Sequence, residues 1–185
     1  MNPVQESFFL RAEIPADVDE LTAMVSAAFA SNPHSRQTEA QIVARLRESG
    51  HLFLSLVAQS GQPEAPGALV GQVIFTRVTI DGGACDWFGL GPLAVLPYRQ
   101  GAGVGAELVR QGLGALQERG ASGCVVLGEP AYYGRFGFRS TPALQLRGAP
   151  RGCFLVRPFA RVVPIGAVHL HPAFDLAPPA DWTFP

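Results

Sequence analysis

Apolar and polar positions along the chain follow two repeats, one typical of helices and one typical of strands. Apolar residues three and four positions apart predict helices over residues 15–29 and 38–49 and over the segment that follows residue 103. Alternating or continuous apolar runs predict strands over residues 8–14, 52–58, 69–80, 85–95, 124–127, 143–146, 152–156 and 165–171. Polar turns at residues 59–68 and 81–83 join three of these strands, so the pattern predicts an antiparallel meander rather than a parallel sheet.

Residues 93–106 join a predicted strand to a predicted helix through a glycine-rich turn. Gly101, Gly103 and Gly105 stand on alternate positions, so no side chain covers the backbone N–H groups there. The start of a helix carries a partial positive charge and unpaired N–H donors. The turn therefore predicts a site for an anionic group such as a pyrophosphate.

Three kinds of glycine-rich turn compete for this region. The phosphate-binding loop of nucleoside triphosphatases needs Gly-Lys before Ser or Thr, and it is excluded because all 14 basic residues of the chain are arginine. The dinucleotide fingerprint matches the spacing of Gly101, Gly103 and Ala106, but that motif opens a series of parallel strands, whereas here it follows a predicted hairpin. A turn whose glycines serve only the chain reversal is the structural alternative.

A second segment, residues 124–138, supports the interpretation of the glycine-rich turn as a binding site. The predicted strand over residues 124–127 leads into a tyrosine- and glycine-rich stretch over residues 128–138. With the turn, this stretch resembles the GNAT superfamily of acyl-CoA-dependent N-acetyltransferases, whose pattern is V-x-P-x-x-[RQ]-x-x-G-x-[GA] followed by Y-x-x-x-G-F. The matching residues are Val95, Pro97, Gln100, Gly103, Gly105, Tyr133, Gly137 and Phe138. Residues 89–97 and the Gly-acid-Pro-x-Tyr-Tyr stretch resemble the YhbS-type bacterial branch of this superfamily.

The resemblance implies an α+β fold of GNAT type, in which a mixed, mostly antiparallel central sheet is splayed at one point and carries helices on both faces. It implies transfer of an acetyl group from acetyl-CoA, without a metal, to a primary amine of a small molecule, protein or peptide. The strands over residues 85–95 and 124–127 would part to admit the acyl-pantetheine arm. Gly91-Pro92 inside the first of them predicts a bulge or an edge.

The resemblance also implies a set of cofactor contacts. Main-chain groups of Leu93 and Val95 would meet the pantetheine arm, and the turn would ring the pyrophosphate. The implied residues are Leu93, Ala94, Val95, Gln100, Gly101, Ala102, Gly103, Val104, Gly105 and Ala106. Arg99 and Arg135 are candidates for the phosphates of coenzyme A, because a guanidinium suits phosphate, or they are ordinary solvated charges.

The family pattern places Tyr133 where a phenol can give or share a proton with the leaving thiolate. The structural alternative is a core tyrosine with a satisfied hydroxyl. The helix before it is expected to be short or absent, because only a few residues, including Pro130, follow the strand. Glu129 is the first candidate for the general base and Asp86 the second, and either is equally consistent with a solvated loop carboxylate.

Composition excludes several other classes. A net charge of −1 and a pI near 6.4 provide no basic field for nucleic acid or an anionic membrane, and no apolar run approaches the length of a membrane span. Three distant cysteines without a C-x-x-C pair are typical of reduced thiols in a cytoplasmic protein. His169 and His171 share one strand face, but no further ligand lies at a zinc-like spacing, so no metal is expected.

The 185 residues suffice for one sizeable core. We expect a single acetyltransferase domain over residues 1–171 and a proline-rich tail over residues 172–185 that lies on the surface, in a monomer or a homodimer. Thr38 and Gln41 predict a capping box at the start of the second helix. The alternative function is a non-catalytic sensor that binds an acyl-CoA and uses its C-terminal segment for a partner.

Overall fold

An eight-stranded mixed sheet forms the centre of the computed structural model, which describes residues 7–33 and 35–176. Its strands are β1 (Phe8–Ala12), β2 (Leu54–Gln62), β3 (Ala65–Ile80), β4 (Gly83–Val95), β5 (Gly123–Leu127), β6 (Leu144–Leu146), β7 (Phe154–Pro158) and β8 (Gly166–His169). The order across the sheet is β1-β2-β3-β4-β5-β7, and β8 pairs with β3 and β6. Among these strands the β4–β5 and β6–β8 pairs are parallel and the others antiparallel, so the predicted mixed, mostly antiparallel sheet is confirmed.

Strands β2, β3 and β4 form the predicted meander, but the first hairpin is longer than the apolar pattern indicates. Gln62 of β2 faces Ala65 of β3, so the loop predicted over residues 59–68 shrinks to a turn at Pro63 and Glu64. The added pairs lie at an exposed end of the sheet. Backbone hydrogen bonds hold them without the apolar side chains on which a sequence pattern depends.

Helices cover both faces of the sheet, as the resemblance implied. Adjacent strand residues point to opposite faces, and Val57 and Ala58 accordingly pack against different helices. Helix α1 (Val18–Phe29) lies over Val57, and α2 (Glu39–Glu48) lies beside it over Ile74. Helix α3 (Val104–Glu118) lies over Ala58 on the other face and buries Leu108 and Leu113.

The first helix begins with a short 3-10 helix at Pro15–Asp17. Asp17 is buried, and its carboxylate accepts hydrogen bonds from both terminal nitrogens of Arg11, at 2.6 and 2.8 Å, and from the Ile14 N–H at 2.9 Å. These contacts, the Arg11 bonds first, hold the pKa of Asp17 below its ordinary value although burial opposes them. They join β1 to the start of α1.

The capping box predicted at Thr38 is wrong. The Thr38 side chain makes no capping hydrogen bond, and its hydroxyl is buried without a partner among the residues that the structure describes. Its backbone is helical rather than extended, with φ −100° and ψ −3°, and an N-cap side chain normally reaches the helix from an extended backbone. The Ser35 hydroxyl instead donates to Glu39 in the first turn of α2, at 2.7 Å.

The first part of the proline-rich tail packs onto the domain rather than lying on its surface. Pro172–Leu176 form a 3-10 helix in which Ala173 is buried, and Phe174 packs against the same cluster as Ile42 of α2. The expected surface position is therefore wrong for Ala173 and Phe174, while Pro172 and Asp175 are exposed as expected. Residues 177–185 lie outside the described part of the chain, and the domain boundary after residue 171 stays a prediction.

Candidate active site

Strands β4 and β5 pair along part of their length. The parallel ladder joins Trp87 to Gly123 and ends where Leu90 faces Val126. Beyond that point β5 continues beside β7, and β4 continues beside β3 through Val95. The sheet is therefore splayed between β4 and β5, at the place that the resemblance implied.

A β-bulge in β4 starts the separation. Val73 of β3 faces Leu93 and Phe75 faces Leu90, so two steps along β3 oppose three along β4. The extra residue falls at Gly91-Pro92, which confirms the predicted bulge. Gly91 has a φ of +137°, a conformation that other residues rarely adopt, so this bend requires glycine.

Hydrogen-bond alternation along β4 decides which main-chain groups face the gap. The Leu96 N–H donates to the Val70 carbonyl oxygen at 3.0 Å, and bonded and non-bonded positions alternate in an antiparallel pair. Leu93 and Val95 therefore turn their N–H and C=O groups away from β3 and toward β5. In agreement with this, the Gln100 side-chain amide donates to the Val95 carbonyl oxygen at 3.0 Å.

Ala94 lies between these two residues and does not face the gap. It stands opposite Gln72 of β3, and the alternation directs its main-chain groups to that strand. Its side chain is buried under α1. The structure therefore does not support Ala94 as a cofactor contact.

The glycine-rich turn lies at the end of this gap. Gly101 and Gly103 have φ values of +77° and +86°, and Gly103 caps the N-terminus of α3. The Glu107 N–H donates to the Gly103 carbonyl oxygen at 3.0 Å and makes the first bond of the helix ladder. The N–H groups of Val104, Gly105 and Ala106 precede that bond and have no acceptor within the helix. They are the donors on which the predicted anion site depends.

Tyr132 and Arg135 stand beside this turn. A Cβ atom on Gly105 would lie 2.9 Å from the Tyr132 hydroxyl oxygen, so a side chain at position 105 would collide with it. The Arg135 guanidinium lies 4.6 Å from the centre of the Tyr132 ring. Burial raises the pKa of Tyr132 while Arg135 opposes the rise, so the phenol is a protonated donor at neutral pH. No spacing along the chain encodes the contact of Tyr132 with Gly105, so the sequence alone does not place Tyr132 at this turn.

Arg99 and Ala102 are placed less favourably for phosphate binding. Arg99 is 5% exposed, so its guanidinium is not presented to a ligand at the surface of the turn. The Ala102 N–H donates to the Arg99 carbonyl oxygen at 3.4 Å. Of the two candidate arginines, the structure favours Arg135.

Tyr133 ends α4 (Pro130–Tyr133), a single helical turn after β5, which confirms the expected shortening of this helix. Its ring lies directly against the α-carbon of Gly128, where an added Cβ atom would overlap it. It also packs edge-on against Phe138, with ring centroids 5.9 Å apart. Burial raises the pKa of Tyr133 well above its ordinary value of 10, so the phenol keeps its proton and is available as a hydrogen-bond donor rather than as a base.

The two candidate bases lie in different places. Glu129 directly precedes α4, is exposed, and lines the same cleft as Tyr133. Asp86 lies about 17 Å from Gly91 along β4, at the usual rise of about 3.4 Å per residue. Its carboxylate pairs with Arg77 at 3.0 Å and borders a separate surface depression. The expectation that Asp86 belongs to this site is wrong, because β4 runs well past Asp86 before it parts from β5.

A cleft of about 380 Å³ opens between β4 and β5 and reaches the helices of one face. Residues 89–93 and 125–129 form its two strand walls, with Tyr133 beside them. The remaining wall comes from the end of α1, the start of α2 and the C-terminal part of the domain. This remaining wall is mainly apolar. The charged side chains that line the whole cleft are Arg36, Glu39 and Glu129.

His51 and His171 pack against each other rather than forming a metal site. Across residues 7–33 and 35–176, no group of three or more His, Cys, Asp or Glu side chains is placed to hold a metal ion. The His171 ring instead lies 4.4 Å from the His51 ring, between centroids, and its Nδ1 accepts a hydrogen bond from the Ala173 N–H at 3.1 Å. In the same described part of the chain, no helix is long and apolar enough to cross a membrane.

Sequence comparison finds relatives over most of the chain. A family model described as an acetyltransferase (GNAT) domain matches residues 11–141. The uncharacterized N-acetyltransferase YhbS of Escherichia coli strain K12 is 38% identical over 138 residues, which are 75% of this chain and 77% of that protein. The uncharacterized N-acetyltransferase YjhQ of the same strain is 41% identical over 116 residues, 60% of each chain.

Two solved structures share the fold over nearly the whole chain. A GNAT family acetyltransferase from Brucella melitensis, in complex with acetyl-CoA, is 39% identical with a TM-score of 0.80 and covers 92% of this chain and 99% of its own. The E. coli YhbS structure, in complex with CoA, is 35% identical with a TM-score of 0.80 and covers 95% of both chains. Because the family model and the YhbS sequence each match most of the residues, the chain belongs to the GNAT family of acetyltransferases.

Proposed function

We propose that this protein transfers an acetyl group from acetyl-CoA to a primary amine by direct attack of the amine on the thioester. One observation carries the proposal: the gap between β4 and β5 ends at a bare helix N-terminus. The main-chain groups of Leu93 and Val95 suit the amides of a pantetheine arm, and the N–H donors at the start of α3 suit its pyrophosphate. The similar proteins from B. melitensis and E. coli are in complex with acetyl-CoA and CoA.

In the proposed reaction the amine nitrogen bonds to the thioester carbonyl carbon, and the carbonyl oxygen takes a negative charge. A β4 main-chain N–H that faces the gap, such as that of Leu93, stabilises this oxyanion. The C–S bond then breaks, and the sulfur leaves as a thiolate whose conjugate acid has a pKa of about 8.5 if it behaves like cysteine. Tyr133 donates a hydrogen bond to that sulfur and shares its proton.

The proton that the amine loses needs an acceptor, and the strength required depends on the amine. At pH 7 deprotonation costs about 4 to 5 kcal/mol for a lysine-like amine with a pKa of about 10.4, and about 1 kcal/mol for a chain-terminal amine with a pKa of about 8. Glu129 lines the cleft beside Tyr133 and is the proposed base. Water takes this role for the more acidic amines.

We also propose a cytoplasmic location and a single catalytic domain that acts as a monomer or a homodimer. Cys85, Cys124 and Cys153 are free thiols. Free thiols suit a reducing compartment.

Activity and binding are measured separately to test the proposal. Calorimetry reports the acetyl-CoA Kd, and release of the coenzyme A thiol with a panel of amines reports turnover. We expect Tyr133→Phe to bind acetyl-CoA like the native protein and to lose about 10²-fold in kcat, because a general acid contributes on that order. Native protein that binds acetyl-CoA but acetylates no amine would support the acyl-CoA sensor instead.

A matched pair of glycine variants tests the pyrophosphate site. Gly103 and Gly50 have φ values of +86° and +70°, and an added Cβ would meet nothing within 4 Å at either position. Alanine strains both turns by about 1–2 kcal/mol, but only Gly103 lies at the start of α3. We expect Gly103→Ala to raise the acetyl-CoA Kd about tenfold, or about 1.4 kcal/mol, relative to Gly50→Ala. Equal affinities would rule out the turn as the binding site.

A further inference from the structure

The part of the cleft that faces the helices is shaped for an apolar group, and its chemistry indicates an acceptor class for the reaction proposed above, on which this inference rests. Phe29 at the end of α1, Ile42 of α2, Phe154 of β7 and Phe174 of the C-terminal 3-10 helix all line it. Four elements thus bring apolar side chains to one space. A polyamine or an amino sugar would place polar groups against this apolar wall. Those groups would lose their hydrogen bonds to water and gain none from the protein.

The charged side chains of the cleft are few and of both signs. Glu129 lies at the end next to Tyr133; Glu39 begins α2, and Arg36 lies in the loop just before that helix. The carboxylate of Glu39 accepts from the Ser35 hydroxyl, with oxygen distances of 2.7 and 2.8 Å. Arg36 is exposed, and no carboxylate among the described residues forms an ion pair with it.

A guanidinium that is available beside an apolar cleft favours a carboxylate on the ligand, which it can hold through two parallel hydrogen bonds. An amine, an apolar body and a carboxylate together describe an α-amino acid with an apolar side chain. The volume of about 380 Å³ agrees with a ligand of this size. It lies near the lower limit of small-molecule sites, about 300 Å³, and the acetylated end of the cofactor occupies part of it.

The amine chemistry favours the same class. Among the described residues that line the cleft there is no histidine, lysine or cysteine, so the proton acceptors are carboxylates and water. When Arg36 neutralises the carboxylate of an amino acid, its amine approaches the pKa of a chain terminus, about 8, and about one molecule in ten is unprotonated at pH 7. For a lysine-like amine of pKa 10.4 the fraction is about one in 2,500.

We infer that the acceptor is an apolar α-amino acid, whose carboxylate pairs with Arg36 and whose side chain packs among Phe29, Phe154 and Phe174. The amine then points toward Tyr133 and Glu129, where the thioester would lie. Arg36 determines specificity and takes no part in the chemical step.

Acetylation kinetics with a matched set of amines test the acceptor class. L-Phenylalanine and L-leucine carry the carboxylate, L-phenylalaninamide and phenethylamine lack it, and spermidine lacks the apolar body. We expect kcat/KM for L-phenylalanine to exceed that for L-phenylalaninamide by about tenfold, because the charged pair with Arg36 is lost, and that for spermidine by about a hundredfold. A preference for spermidine or phenethylamine, or equal values for the acid and its amide, would overturn the inference.

Two arginine variants test the pairing itself. Arg45 is exposed on α2 and does not line the cleft, so Arg45→Gln is the control for loss of a positive charge. We expect Arg36→Gln to raise the KM for L-phenylalanine about tenfold, as the loss of a charged pair does, and to leave the KM for L-phenylalaninamide unchanged. Arg45→Gln should change neither value. An equal rise for the acid and the amide would contradict a carboxylate contact at Arg36.

The outcomes separate this inference from the proposed function. Acetylation of spermidine or of the lysine side chain, but not of apolar amino acids, refutes the acceptor class and leaves acetyl transfer intact. A protein that binds acetyl-CoA and acetylates no amine refutes both.

Discussion

Two glycines of α3 test how closely this helix packs on the sheet. The same substitution to alanine should lower the free energy of unfolding at one position and raise it at the other. Gly112 is buried, and a Cβ atom there would overlap the Cε2 and Cζ atoms of the Phe75 ring. Gly114 lies on the same helix with nothing within 4 Å of an added Cβ. Gly112→Ala therefore perturbs the packing, and Gly114→Ala is its matched control.

The magnitudes follow from two opposing effects. Alanine gains about 0.5–1 kcal/mol over glycine inside a helix, and at Gly114 nothing opposes this gain. At Gly112 the added Cβ would overlap the Phe75 ring, which is 0% exposed and lies within the core. Overfilling such a core costs about 1–3 kcal/mol, so we expect a net loss of about 1 kcal/mol or more.

Urea unfolding followed by circular dichroism measures both free energies, and for a chain of this size each 1 kcal/mol shifts the Tm by about 2–4 °C. Since α3 also carries the glycine-rich turn, displacement of the helix by Gly112→Ala should weaken acetyl-CoA binding as well. In a Phe75→Leu background the penalty of Gly112→Ala should largely disappear. Equal stabilisation by both alanine variants would refute the close approach of α3 to β3.

Other perturbations act away from the cleft. Asp17→Asn should cost roughly 1–3 kcal/mol at neutral pH through its lost bonds with Arg11. Folding lowers the pKa of Asp17 from 3.8, so this stability is fully present above about pH 5 and is lost as the pH falls from 3.8 through the lower pKa of the folded state. Urea unfolding of the two proteins should therefore converge in acid, and a constant gap between them would contradict the assignment. Burial, with His51 nearby, lowers the pKa of His171 from 6.5. The native protein should therefore lose stability in urea unfolding as the pH falls below 6.5, and His171→Gln should lose less. Identical pH profiles of the two proteins would argue against a buried neutral His171. Thr76→Val should be neutral or stabilise by about 1 kcal/mol in thermal unfolding, because the Thr76 hydroxyl is buried without a partner among the described residues. A loss above about 1 kcal/mol would mean that this hydroxyl is bonded.

The features of the site that depend on local chemistry were predictable. The turn at Gly101 and Gly103, free of side chains, and the bulge at Gly91-Pro92 follow from what glycine and proline permit within a few residues of chain. The short helix before Tyr133 is set in the same way by the position of Pro130.

The features that the sequence did not predict correctly depend on distances between separate elements in three dimensions. Asp86 stands on the right strand, but its distance from the gap depends on where the β4–β5 ladder ends. Tyr132 meets Gly105 only because α4 folds back over the start of α3. Arg99 matches a phosphate ligand in type, yet the packing around the turn buries it. None of these outcomes leaves a periodic trace in the sequence, since each one is decided by a contact between separate elements.

The extra residue in β4 keeps the gap to β5 open, and the rest of the fold does not depend on it. Deletion of Pro92 would leave two steps of β4 opposite two steps of β3 and so remove the bulge. Leu90 and Leu93 would then still point to the same side of the sheet and keep their partners Phe75 and Val73. The straightened strand could then run on beside β5 and seal the groove. A lineage could therefore retain this scaffold, with its interior unchanged, while a single in-frame loss removed its capacity for acyl transfer.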